Sequence, residues 1–128
     1  MSRKPIHTTS APKAIGPYSQ AIRSGNMLYL SGQTPLDPAT GEMVAGDIEA
    51  QATRVFENLQ AVLTAAGASF DDVVRVGIYM TDLGNFVTVN EVMKRYFREP
   101  YPARSTIGVA ALPRGAAVEV DLIAAVGG

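Results

Sequence analysis

The stretch Asp47–Met80, DIEAQATRVFENLQAVLTAAGASFDDVVRVGIYM, decides the fold because the period of its apolar residues changes partway along. Ile48, Ala52, Val55, Phe56, Leu59, Val62, Leu63 and Ala66 recur at steps of three and four, which is the period of one helix face. Asp47 has the side chain of an N-cap, and Gly67 suits a helix stop. Glu49, Arg54, Glu57 and Gln60 fall mostly off that stripe, so the spacing predicts a helix lying flat on a sheet. After Asp71-Asp72 comes Val73–Met80, rich in β-branched residues on both alternating faces, as in a strand covered on both sides. One layer of helices covers only one of those faces, which leaves the other for a second subunit.

Toward the N-terminus, Tyr18–Ser24 and Met27–Ser31 flank Gly25-Asn26, whose glycine-first order suits a II′ turn between two antiparallel strands. Pro12, Gly16 and Pro17 punctuate the segment before them, and residues 1–12 are expected as a flexible arm. The turn formers of Gly32–Gly46 mark a surface loop, with room for a short strand at Glu42–Val44. Toward the C-terminus, Thr81 or Asp82 caps a second predicted helix with Leu83, Phe86, Val87, Met93, Tyr96 and Phe97 inward and Asn90 on the same side. Pro100 and Pro102 end it and lead to a strand at Ser105–Val109, a turn at Leu112–Gly115 and a last strand at Val118–Val126. That order, ββαβαββ, predicts a single α+β domain over residues 1–128, a mixed sheet with two helices packed on one face.

A chain of 128 residues, 47% apolar and 18% charged, is enough for one modest core. Eleven Lys and Arg stand against twelve Asp and Glu, a net charge of −1 with no run of like sign, which argues against a nucleic-acid partner. The absence of cysteine removes disulfides, thiolate nucleophiles and Cys metal sites. Residues 1–17 have no signal-peptide core, and no apolar run is long enough to span a bilayer, so no membrane partner and a cytoplasmic location are expected. His7, the only histidine, falls in the expected arm, which leaves little material for a Ser-His-acid triad or a histidine metal site. Gly32, Gly41 and Gly46 lie too far apart to cradle a phosphate, and neither metal nor cofactor is expected.

What remains is a set of polar residues in places that usually hold apolar ones. Arg104 opens an apolar strand just after Pro102-Ala103, where a guanidinium fork suits a carboxylate and equally suits a surface ion pair. Glu119 sits one residue into the last strand. If the strands bearing Arg104 and Glu119 pair across their short turn, the two form either a salt bridge or a site holding an anion and a water. Tyr18 and Ser31, read as lying on the two hairpin strands, can line a pocket or be ordinary strand residues. Asn90 needs hydrogen-bond partners wherever it is buried.

Taken together, Ala14-Ile15-Gly16-Pro17-Tyr18-Ser19-Gln20, Leu30-Ser31-Gly32-Gln33, Pro102-Ala103-Arg104-Ser105 and Val118-Glu119-Val120-Asp121 resemble the reactive-intermediate deaminase family, also called RidA or YjgF. The resemblance runs from about residue 10 to 126. It implies a chorismate-mutase-like subunit in a homotrimeric barrel with pockets between subunits. It also implies hydrolytic deamination of small 2-enamine or 2-imine acids, such as 2-aminoacrylate and 2-iminopropionate from serine or threonine dehydratases, to 2-keto acids and ammonia. By that likeness Arg104 anchors the carboxylate and Glu119 positions or activates water. Backbone N–H groups near Gly32 and Thr106 assist, Tyr18 and Ser31 line the pocket, and Asn90 supports it. Thr106 stands where many members carry a cysteine, a departure that keeps a hydrogen-bonding group and loses the thiol. The competing readings are a non-catalytic, regulatory trimer that binds small carboxylates, and, with less weight, an aminomuconate-type deaminase or an endoribonuclease.

Overall fold

The structure is a computed structural model and describes residues 2–127. In chain order the strands are β1 Lys4–Ile6, β2 Ala21–Ser24, β3 Met27–Gln33, β4 Val73–Met80, β5 Ala103–Gly108 and β6 Val118–Ala125, with helices α1 Ile48–Ala65 and α2 Phe86–Lys94. The hairpin forms as read: Ser24 pairs with Met27, and Gly25 takes φ 59°, which glycine adopts without steric cost. Asp47 caps α1, its Oδ1 accepting from the Ala50 N–H at 3.0 Å. Gly67, with φ 76°, ends it.

Within the stretch expected as an arm, Lys4–Ile6 pairs antiparallel with β2 as an added edge strand. Gln20 fastens the chain just beyond that strand: its Oε1 accepts from the Thr8 N–H at 2.8 Å, and its Nε2 donates to the carbonyls of Thr8 and Pro12. The loop strand considered at Glu42–Val44 is a single bridge, Leu36 with Met43. Asn58, fully buried on α1, donates to the Leu36 carbonyl at 2.9 Å and so holds that loop against the helix. The second helix starts later and ends earlier than the apolar period suggests. Asp82 caps a 3₁₀ turn at Leu83–Asn85, and Tyr96 and Phe97 lie beyond α2 while still packing inward.

The sheet order is β1-β2-β3-β6-β4-β5, antiparallel throughout except for β4 and β5, which run parallel with α2 between them in sequence. This corrects one expectation. β5 and β6 are not neighbours, because β4 lies between them, pairing Val76 with Leu122 on one side and with Arg104 on the other. A connection through α2 is long enough for a parallel crossover, and it places the later strand on the outer edge.

Val76, Ile78, Met80, Val118, Val120, Leu122, Leu28 and Leu30 point to the helices and form the core with Val55, Phe56, Leu59, Val62, Val89 and Val92. At one end Phe56 stacks on Tyr96 with ring centres 5.3 Å apart and meets Phe70 and Phe97 edge-on. The opposite sheet face has no helix. Tyr29 and Ile107 are about half exposed there, where the sequence implied a cover for β4 on both sides.

Phe56→Ala should cost about 3–5 kcal/mol, since a fully buried ring leaves a cavity that three aromatic neighbours cannot close. Urea titration checks this, and a loss below about 1 kcal/mol would mean that the aromatic cluster is not part of the cooperative core.

Candidate active site

Arg104 stands at the edge of the sheet on the helix side, in register with the buried Val76. Its Nη1 donates to Asn90 Oδ1 at 2.7 Å and lies 3.6 Å from Met93 Sδ, while the guanidinium carbon sits 5.2 Å over the Phe86 ring. All three partners come from α2, at positions 86, 90 and 93, which share one helix face. Each partner is uncharged. None of the four ion pairs among the described residues includes Arg104, so the arginine is oriented without being neutralised. The surface ion pair left open by the sequence does not form.

The guanidinium borders two clefts. One, of about 400 Å³, is lined by Asn90, Met93, Lys94, Tyr101, Pro102 and Arg104. The other is lined by Leu83, Phe86, Arg104 and Thr106, and the Thr106 hydroxyl is buried there without a hydrogen-bond partner. A buried hydroxyl with no partner costs free energy unless a bound group satisfies it.

Glu119 occupies the other side of the sheet. It pairs with Tyr79, and Tyr79 and Ile107 share the face that no helix covers. The carboxylate lies against Gly32, where an added Cβ would fall on Glu119 Oε2. Partial burial, and then the neighbouring Asp121, raise the Glu119 pKa above its ordinary value of 4.5. Asp121 accepts from the Tyr79 hydroxyl at 3.1 Å, and burial followed by that carboxylate raises the Tyr79 pKa. Ser31, at the bulge between Leu30 and Gln33, donates to the Ser19 carbonyl at 2.6 Å. Tyr18 is exposed in the segment before β2 and is not on a hairpin strand.

The predicted site residues therefore form two groups in one chain. Arg104, Asn90 and Thr106 gather on the helix side of the β5 edge, and Glu119 and Gly32 on the open face, with Ser31 next to Gly32 at the β3 bulge. Register separates them: Arg104 aligns with Val76 and Leu122, and Glu119, an odd number of residues from Leu122, faces the other way. Sequence reasoning passed over Phe86 as a ring beneath the guanidinium, along with Met93, Lys94 and Tyr101. The steps 86, 90 and 93 were visible, but their common partner sat on a strand whose place in the sheet was not. Among the described residues no group of three or more His, Asp or Glu is placed to hold a metal ion, and no helix is long and apolar enough to cross a membrane.

The structure is thus a single α+β domain, a mixed sheet with two helices on one face, that carries an oriented, uncompensated arginine at its sheet edge. More narrowly, the chain belongs to the family described as Endoribonuclease L-PSP, the RidA/YjgF family, whose pattern it matches over residues 8–126. It is 62% identical over 126 residues to Protein DfrA of Myxococcus xanthus, covering 97% of this chain and 96% of that one. It is 47% identical over 125 residues to the 2-iminobutanoate/2-iminopropanoate deaminase of Mus musculus, covering 98% and 93%. Among crystal structures, RidA from an Antarctic Psychrobacter superposes with a TM-score of 0.92 at 47% identity, over 96% of this chain and 99% of that one. E. coli TdcF with bound serine superposes with a TM-score of 0.91 at 43% identity, over 97% and 99%. The family thus includes proteins that carry the name of imine deaminases.

The raised Glu119 pKa has a consequence for stability with a defined sign. The folded chain holds this proton more tightly than the unfolded one, so the contribution is present below pH 4.5 and lost as pH rises through the raised value. Glu119→Gln removes that loss. Its melting temperature relative to the parent should therefore climb between pH 4.5 and 7, and a flat difference across that window would show that the carboxylate carries no burial penalty.

Proposed function

We propose that the protein hydrolyses small 2-enamine and 2-imine acids to 2-keto acids and ammonia, in clefts shared by two copies of the chain. The observation that carries this reading is the state of Arg104: held by Asn90, resting on Phe86, free of any acidic partner and facing a cleft. Two guanidinium N–H groups in a fixed fork suit the carboxylate of such an acid better than an ammonium does. The unmet Thr106 hydroxyl, in the second cleft that Arg104 borders, is a further donor for a carboxylate bound on that side of the guanidinium.

The chemistry asks little of the protein. Protonation of an enamine at its β-carbon gives the iminium, which is the imine once nitrogen releases a proton, and the carbon bonded to that nitrogen is electrophilic. Water adds there, a proton moves to nitrogen, the C–N bond breaks, and ammonia leaves as the C=O bond forms. A carboxyl with a raised pKa can hold the water, accept its proton and return a proton to the departing nitrogen, which is the role we assign to Glu119. Orientation of a reactive substrate supplies the rest of the rate.

Arg104 and Glu119 lie on opposite faces of one sheet, so both reach one substrate only when the β5 edge of one copy meets the open face of another. The half-exposed Tyr29 and Ile107 on that face favour such a cover, and the proposed assembly is a homotrimer whose three sheets enclose a barrel. His7, the only histidine, is exposed just after β1 at the sheet edge opposite β5, which favours small-acid hydrolysis over RNA cleavage.

A serine or threonine dehydratase coupled to this protein should release keto acid faster than the spontaneous rate. Arg104→Ala should lower kcat/KM by about 10–100-fold, the value of a charge-assisted pair, and Arg104→Lys should recover only part of it. Glu119→Gln should lower kcat by about 100-fold while still binding a 2-keto acid; unimpaired turnover would remove Glu119 from the chemistry, and a parent that binds the keto acid without speeding its release would leave the binding-module reading. Co-expressed Arg104→Ala and Glu119→Gln chains should regain about a quarter of parental activity, since random assembly leaves that share of clefts with both groups. No recovery on mixing would place both residues of each site in one copy and overturn the shared-cleft arrangement.

A further inference from the structure

The cleft of about 400 Å³ beside Arg104 holds a second cation. Lys94 lines it together with Asn90, Met93, Tyr101, Pro102 and Arg104, and among the described residues no acidic one lines it. Two positive groups share a cleft of about 400 Å³ with neutral walls, where the proposed substrate brings only one carboxylate. We infer that Lys94 extends the site to 2-imino dicarboxylic acids, with the carboxylate next to the imine on Arg104 and the distal carboxylate on Lys94. This rests on the hydrolase reading above and adds the substrate class.

Helix geometry supports the spacing. Arg104 Nη1 is bonded to Asn90, and Lys94 stands four residues further along α2 on the same side, about 6 Å up the axis. A ligand anchored at the level of Asn90 and extending along the helix brings its far end to the ammonium. Met93 and Tyr101 supply apolar surface for the carbons between the two carboxylates.

Two plainer roles for Lys94 are on view, and neither accounts for its cleft. It lies 3.5 Å from Glu91, but both side chains are more than half exposed, and such a pair holds a lysine only weakly. It also sits in the last turn of α2, where any cation complements the helix dipole. That effect is indifferent to which side of the helix the residue takes, whereas Lys94 takes the side of Asn90 and Arg104.

The test compares two imines formed in situ by an amino-acid oxidase, 2-iminoglutarate from glutamate and 2-iminopropanoate from alanine, with kcat/KM measured on each. The ratio of diacid to monoacid efficiency should fall about tenfold or more in Lys94→Met and further in Lys94→Glu, chiefly through KM, with melting temperatures close to the parent. Binding of 2-oxoglutarate and 2-oxobutanoate, followed by calorimetry on the same proteins, should show the same change in ratio without any turnover. If the parent speeds the monoacid imine but not the diacid, or if both ratios ignore position 94, this inference falls and the hydrolase reading stands. If the parent speeds neither imine, the hydrolase reading falls and this inference with it.

Discussion

The position of β4 between β6 and β5 is the constraint on which the site depends. Each strand presents alternate residues to alternate faces, so once Val76 is committed to the core, Arg104 and Leu122 in register with it are committed to the helix side. Glu119, Gly77 and Tyr79 are then committed to the other side. A shift of one residue along β5 would turn Arg104 away from α2, losing Asn90, Met93 and Phe86 together. Hydrogen bonds along the ladder thus aim the guanidinium, and α2 supplies the groups that meet it.

An arginine oriented by neutral partners differs in energy from one held in a salt bridge. A carboxylate partner would gain Coulomb energy in the free protein and would have to be displaced by an incoming acid. The Asn90 carbonyl oxygen satisfies one N–H and leaves the charge intact, and the Phe86 ring supports the guanidinium plane at little cost in hydration. The arrangement fixes the side chain before a ligand arrives, which lowers the ordering cost of binding.

Much of the scaffold was readable because local signals agreed with one another. Asp47 and Gly67 bracket α1 as read, Gly25 turns the hairpin, and β4 covers the residues its β-branched run suggested. The failures share one cause, which is dependence on distant parts of the chain. β1 contains Pro5, which argues against a strand, and its edge position tolerates a residue with no N–H to give. The end of α2 at Lys94 is set by a turn that still packs Tyr96 and Phe97 inward, so the apolar period continues where the helix does not. The pairing imagined for Arg104 with Glu119 assumed that consecutive strands are neighbours, and a parallel crossover broke that rule. The residues of the site were legible as an unusual set of polar groups. Their division between two faces was not, since it depends on strand order.

The two glycines facing carboxylates on the open side tie the site to the sheet. Gly32 lies against Glu119, and Gly77 against Asp121, on β3 and β4, the two strands flanking β6. A side chain at either position would occupy the space that each carboxylate fills, so the absence of a Cβ lets two acidic groups lie close over the backbone of a sheet. Their nearness contributes to the raised Glu119 pKa, with the larger part from burial, and Tyr79 takes up Asp121 through a hydrogen bond. The open face is therefore more than an apolar surface awaiting cover. It carries two carboxylates that the thickness of the sheet separates from Arg104 of the same chain.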